Sequence, residues 1–208
     1  GFVVVRDASR SHATFDVGRR GYLDGPHAHA AALSVTLALR GQPLLVDPGT
    51  STYTMDGRVR DRLRSTTSHN TVAINDQAQA TPRGPFHWHG SASAQRHGSR
   101  SNEAFAWAEA SHNAYVPIRH RRTVVATPTG AWLIADEILG QGLVTARAHW
   151  HLDPAWKLTC DEPGRLRAVY HEWDQAWLLH EAREHLLADG DDESGLGGYV
   201  PVDWTRGP

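Results

Sequence analysis

Fourteen histidines stand in a chain of 208 residues, more than its tyrosines and phenylalanines together. Three pairs share the spacing His-x-His: His27/His29, His87/His89 and His149/His151. On an extended backbone, residues i and i+2 leave from the same side, so such a pair can converge on one ion or ligand. For His149/His151 the alternation favours a wet strand face. There Thr145, Arg147, His149 and His151 form a polar row, and Val144, Ala146, Ala148, Trp150 and Leu152 an apolar one. His87/His89 alternate with Phe86 and Trp88 in the same way and also read as surface. His27/His29 differ. They sit in Gly25-Pro26-His27-Ala28-His29-Ala30-Ala31-Ala32, where no polar strand face forms and small neighbours leave room around the imidazoles. Spacing alone leaves a ligand role and a plain loop role equally open.

Asp47 and His69 are the residues that could complete a site. Asp47 ends the apolar run Leu44-Leu45-Val46 and precedes Pro48-Gly49, a sequence that equally suits a turn with Gly at the position needing φ > 0. His69 lies in the polar stretch Ser65 to Thr71, where a solvated loop histidine would look the same. Two neutral imidazoles and one carboxylate, with water, suit four-coordinate Zn²⁺. The sequence by itself does not bring them together. Cys160 is the sole cysteine, which excludes an internal disulfide and a cysteine zinc cage.

The elements that must position these residues are strands. Leu33 to Arg40 alternates large apolar with small or polar residues, the pattern of a strand with one buried face. Similar runs are Thr71–Asn75, Ala104–Ala110, Thr123–Ala126, Ala131–Asp136, Leu143–Leu152, Arg165–Tyr170 and Ala176–Glu181. Turn chemistry separates them, and Thr123–Asp136 reads as a hairpin around Pro128-Thr129-Gly130. Only Gly57–Ser65 and Ala182–Ala188 look helical, and both are short. Asp189 to Gly198 reads as a loop ahead of a weaker C-terminal tail. The expectation is an all-β fold, a large antiparallel β-sandwich of ten or more strands with only short helical segments, as one domain over residues 1–208.

Composition narrows the function classes. The 40% hydrophobic content, with 19 glycines besides, is globular rather than disordered. No apolar run reaches the 18 or so residues of a membrane span. A net charge of −2 gives no general pull toward nucleic acid. The chain opens on Gly1 and holds a single methionine, Met55, so it reads as a domain of a longer protein, with its last strands open to being incomplete. Two basic runs, Arg58/Arg60/Arg62/Arg64 and Arg119-His120-Arg121-Arg122, could attract a polyanionic sugar chain, although a solvated face balanced by acids such as Asp61 is favoured. Trp107, Trp132 and Trp150 fall on apolar strand faces and are expected in the core.

The stretch Gly25 to Trp88 resembles a known family, the C-terminal β-sandwich domain of the heparinase II/III-like polysaccharide lyases. The resemblance is carried by PHAHAAALS (26–34), RGQPLLVDPGTSTYT (40–54), RSTTSHNTVAIND (64–76) and GPFHW (84–88). Weaker echoes follow at HRRTVV (120–125) and AHWHLDP (148–154). It implies an enzyme of two parts. An N-terminal helical toroid, absent from this chain, would supply much of the cleft and the catalytic Tyr with Asn or His. The β-sandwich would form the other wall. By motif position the family's metal ligands fall on His29, Asp47 and His69, and its substrate-facing histidine on His27. The ion, zinc by its donor set, would be structural.

The implied partners are an anionic polysaccharide and the chain's own toroid domain. The implied location is the periplasm or cell envelope. Of the five tyrosines none maps to the family's base, and Tyr53 reads as packing or cleft wall. One departure from the family pattern is Ala31, where His-x-His-x-Asp is common, so an acidic group beside the histidines is missing. It motivates a competing expectation, a non-catalytic carbohydrate-binding or scaffold domain. A zinc hydrolase with the same ligands fits less well, since no Glu stands near them as general base.

Overall fold

In the computed structural model the described residues are 1–18, 27–52, 54–90, 92–102, 104–162, 164–170, 174–179, 184–185 and 199–206. The chain begins with four antiparallel strands, β1 (Phe2–Arg6), β2 (His12–Asp16), β3 (Val35–Leu39) and β4 (Gln42–Leu45), in that order across the first sheet. Helix α1 (Gly57–Leu63) and a 3₁₀ turn (Thr66–Ser68) lead to β5 (Val72–Ile74). A small hairpin, β6 (Thr81–Pro82) with β7 (Trp88–His89), precedes a second four-stranded meander. That meander is β8 (Ala94–Ser101), β9 (Ala106–Tyr115), β10 (Ile118–Ala126) and β11 (Trp132–Leu139).

Strand β12 (Val144–His151) returns beside β5. A three-stranded sheet follows, β13 (Trp156–Glu162), β14 (Arg165–Tyr170) and β15 (Asp174–Leu179). The last pieces are β16 (Glu184–His185) and β17 (Tyr199–Arg206), which pairs along all of β12. The all-β expectation holds.

The layers follow from the alternation. Strand β1 lies against β8, β9 and β10, so the first sheet covers one face of the meander. Between them sit Val5, Ala13, Phe15, Val35 and Leu37 from one side and Ala106, Ala108, Ala110 and Val124 from the other. Small alanines on β9 let the larger side chains of the facing sheet enter. A bridge between Leu45 and Leu152 joins β4 to the end of β12. The first sheet therefore continues into the sheet that carries β5. Among the described residues no helix is long and apolar enough to cross a membrane.

The predicted hairpin forms as β10 and β11, closed by bonds from Thr127 N–H to Ala131 O and Gly130 N–H to Thr127 O. Helix α1 matches the first helical expectation; the second, Ala182–Ala188, is corrected at residues 184–185, the two of its positions that are described. Glu184 and His185 are extended and pair with Asp203 and Val202 on β17, because an available strand edge outweighs a weak local helix preference. The tail that looked weak is thus a strand. The expected loop at 189–198, along with Gly25, Pro26 and Tyr53, lies outside the described residues.

Phe15 is fully buried between the first sheet and the β8–β11 meander, whereas Leu133 is 57% exposed. Phe15→Ala should lower the unfolding free energy by about 3–5 kcal/mol in urea titrations. Leu133→Ala should change it by no more than about 0.5 kcal/mol. Equal losses would contradict this layer arrangement.

Candidate functional site

Three segments arriving from different directions bring His29, Asp47 and His69 together. One potential ligand atom from each lies within 4.8 Å of the other two. His29 is in the loop before β3, Asp47 just after β4, and His69 at the end of the 3₁₀ turn. Each position has a local cause. The Asp-Pro-Gly turn forms, with Gly49 at φ +65° and its N–H donating to Asp47 Oδ1 at 2.8 Å. Turn geometry and site membership are therefore compatible at Asp47. The loop of His29 is tied down by Ala30 N–H to Arg64 O and by Gln79, whose Oε1 accepts from Ala32 N–H while its Nε2 donates to Ala32 O.

His69 is fully buried, and its Nδ1–H donates to Asp47 Oδ2 at 2.7 Å. The rings of His29 and His69 are 5.0 Å apart, centre to centre. Thr50 Oγ1, a partner the sequence did not flag, lies 2.7 Å from His29 Nε2. Burial, then the neighbouring His69, pulls His29 down to about 4 against the attraction of Asp47, so it is neutral at pH 7. Burial pushes the Asp47 carboxyl up, but the His69 bond and the Gly49 N–H outweigh it and hold the group below its usual value. The site thus presents a neutral imidazole and an ionised carboxylate, the forms that metal ligands take. Among the described residues Nε2 of buried His69 has no hydrogen-bond partner. An ion between the three groups would satisfy that nitrogen, and the donor set fits zinc.

His27 is exposed two residues from His29, its ring 6.3 Å from Phe86 and edge-on to it. His87 and His89 are exposed, as expected. His149 and His151 are not: both are buried, at 2% and 1% exposure. Alternation correctly separated the two faces of β12 but could not reveal that the polar one is also covered. The 3₁₀ turn lies over it, and His151 Nε2–H donates to Thr67 O at 2.9 Å. Burial pulls His151 down to about 4.

The basic runs are corrected as well. In helical geometry, residues four apart share a face, so Arg60 and Arg64 turn inward while Arg58 and Arg62 stay exposed. Arg64 donates to Pro85 O, Gly84 O and Asp61 and lies 4.7 Å from the centre of the Trp88 ring. On β10, Arg119 is exposed while His120 and Arg122 are fully buried. Trp132 and Trp150 pack on the core, partly buried, and Trp107 is partly buried over Gly98.

A buried polar chain that the sequence motifs did not mark as a unit links His112, His120 and Asp136. Ala114 N–H donates to His112 Nδ1 (3.2 Å), which leaves the proton on Nε2 to be given to His120 Nδ1 (3.2 Å). His120 Nε2–H in turn donates to Asp136 Oδ1 at 2.6 Å. Burial, then His120 and the Arg122 charge, hold His112 well below its ordinary value, and burial with the Arg122 charge lowers His120, both against the pull of Asp136. The signal that could have found the Asp136 end is the hairpin register, which sets Arg122 opposite Asp136.

Several buried histidines therefore take up protons less readily in the fold than in the unfolded chain. For His29 and His151 this stabilisation is complete above the unfolded value near 6.5 and is lost as pH falls from there toward about 4. The urea midpoint should drop over that range, and His151→Gln should flatten the drop. An unchanged slope in the variant would contradict the assignment.

Comparison with known proteins agrees with the architecture. The family described as heparinase II/III-like, C-terminal, matches residues 1–196. A comparison with curated protein sequences found no match. Among solved structures, the chain is similar to the heparan sulfate lyase HepC from Pedobacter heparinus, with TM-score 0.78 and 15% identity over 99% of this chain and 32% of that one. It is likewise similar to heparinase III, with TM-score 0.77 and 15% identity over 99% of this chain and 33% of that one. The chain spans about a third of the length of these structures, and at such identity they share its fold. With 196 residues matched, the chain belongs to the heparinase II/III-like C-terminal family.

Proposed function

We propose that this domain is one wall of a polysaccharide lyase that cleaves uronic-acid-containing polysaccharides by β-elimination. The observation that carries the reading is the convergence of His29, Asp47 and His69 two residues from exposed His27, in a member of this family. The structural neighbours, a heparan sulfate lyase and a heparinase III, suggest the substrate class.

In such a reaction a base takes the proton from C5 of a 4-linked uronate. The C–H electrons form the C4=C5 double bond, the C4–O4 bond breaks, and O4 leaves with a proton. The C5 proton is weakly acidic until the adjacent carboxylate charge is offset by a donor. His27 is the residue on this wall suited to that role, because an imidazole can donate to a carboxylate or carry a proton to the leaving oxygen. The main base belongs to the helical toroid that the family places upstream. His29, Asp47 and His69 would hold zinc, which would supply a fixed charge and a cross-link between three loops. Thr50 orients the His29 ring, Asp47 holds the His69 tautomer, and the anchored loop presents His27.

Two expected outcomes test this. The purified chain should contain close to one zinc per molecule, and His29→Ala should lose it; equal, substoichiometric metal in both would refute the ligand set. In the protein extended by its upstream toroid, uronate polymers should yield an unsaturated product with rising ultraviolet absorbance. There His27→Ala should slow turnover by roughly 10²–10⁴-fold while retaining zinc. The 208-residue chain alone should yield none. Absence of elimination in the extended protein would favour the non-catalytic carbohydrate-binding reading that Ala31 suggests.

A further inference from the structure

Arg122 is fully buried yet carries a charge that proteins do not remove. Its guanidinium meets three separate parts of the fold. Nε and Nη2 donate to Asp136 Oδ1 and Oδ2 at 2.7 and 2.9 Å, a bidentate pair across the β10–β11 hairpin. Nη1 donates to the backbone carbonyls of Leu33, at 2.9 Å, and Asn70. Trp150 covers the group, its ring centre 5.0 Å away.

Neither carbonyl lies on the sheet that carries Arg122. Leu33 sits at φ +62°, a left-handed conformation that costs a branched residue roughly 1–2 kcal/mol. Such a conformation persists where the surroundings hold it. Leu33 is held at both ends, by its N–H to Asp16 O and by its carbonyl from Arg122. Asn70 follows His69 directly, and its side chain is a second clamp. Its Nδ2 donates to Val35 O and Val46 O, and its Oδ1 accepts from His151 N–H.

We infer that Arg122, anchored by Asp136, is the positioning residue of the His29/Asp47/His69 site. One buried fork fixes Leu33, four residues beyond His29, and Asn70, the neighbour of His69. Through the Asn70 amide it also fixes Val46, the neighbour of Asp47. Arg122 touches none of the three side chains and acts through their backbones. The inference rests on the reading that this site holds a metal ion. A purely structural ion pair would stabilise the sandwich without setting the ligand geometry, so the test must separate the two.

The test uses the full chain with zinc alone in calorimetric titration, and with cobalt(II) as a visible-spectrum reporter. Four proteins are compared: unaltered, Arg122→Lys, the double variant Arg122→Met/Asp136→Asn, and Val124→Ala. The double variant removes both charges but leaves an amide oxygen for His120. Val124 is fully buried two residues along on the same face of β10 and bonds to no ligand segment through its side chain, so its truncation costs stability alone. The double variant should bind zinc roughly ten- to hundredfold more weakly, the range for losing a ligand-orienting partner, with shifted cobalt bands. Arg122→Lys should weaken binding similarly, because one ammonium cannot reach Asp136 and both carbonyls. Val124→Ala should unfold at a lower temperature with zinc affinity and cobalt bands unchanged.

Unaltered affinity in the double variant, or an equal loss in Val124→Ala, overturns the assignment. Should the double variant fail to fold, Arg122→Lys decides by the same criteria. If the unaltered chain takes up no zinc, the metal reading itself fails and the assignment falls with it.

Discussion

A guanidinium taken out of water must have its donors met, or the fold carries an uncompensated charge worth several kcal/mol. Arg122 imposes that constraint at the centre of this molecule. Asp136 answers it from the next strand, where antiparallel pairing places the two residues opposite one another. Two backbone carbonyls from outside the sheet answer the rest, and one belongs to a residue in a left-handed conformation. Burial raises the proton affinity of Asp136, but Arg122 and His120 outweigh it and keep the carboxyl ionised, so the pair stays charged together. The sandwich can close around this pair only with Leu33 and Asn70 in register with it.

The candidate site inherits its geometry from that closure. Its three groups come from loops, which are ordinarily the adaptable parts of a fold. Here each loop is bonded within a few residues of its ligand to a buried side chain: Gln79 near His29, and Asn70 near both Asp47 and His69. Asn70 takes part with both amide atoms and is completely enclosed. Substituting a hydrophobic residue there would strand carbonyls and an N–H from three segments at once, each costing about 1–3 kcal/mol when buried unpaired. Around this rigid base the exposed His27 is the group left facing outward.

The strands were legible in the sequence because alternation is a direct imprint of a half-buried sheet, and the β10–β11 hairpin was legible in its turn residues as well. The trio His29, Asp47 and His69 became legible through motif order, since spacing alone left each with an ordinary loop reading. The structure supplied what alternation cannot contain. His151 looked wet because its row is polar, yet a turn from another segment covers that row. Arg60 and Arg64 belong to a run of arginines that composition marks as a solvated face, but on a helix the spacing of four puts them together on the inward side. The histidine chain of His112 and His120 depends on pairing between strands whose register no local pattern fixes, apart from the hairpin itself.

In the proposed function, three backbone segments locked by buried polar side chains hold one metal ion between His29, Asp47 and His69. Anomalous X-ray scattering at the zinc edge, from crystals of the chain grown with zinc, locates that ion. One strong peak is expected about 2.0–2.2 Å from a nitrogen of His29, a nitrogen of His69 and an oxygen of Asp47. A peak elsewhere, or none at this trio, would contradict it.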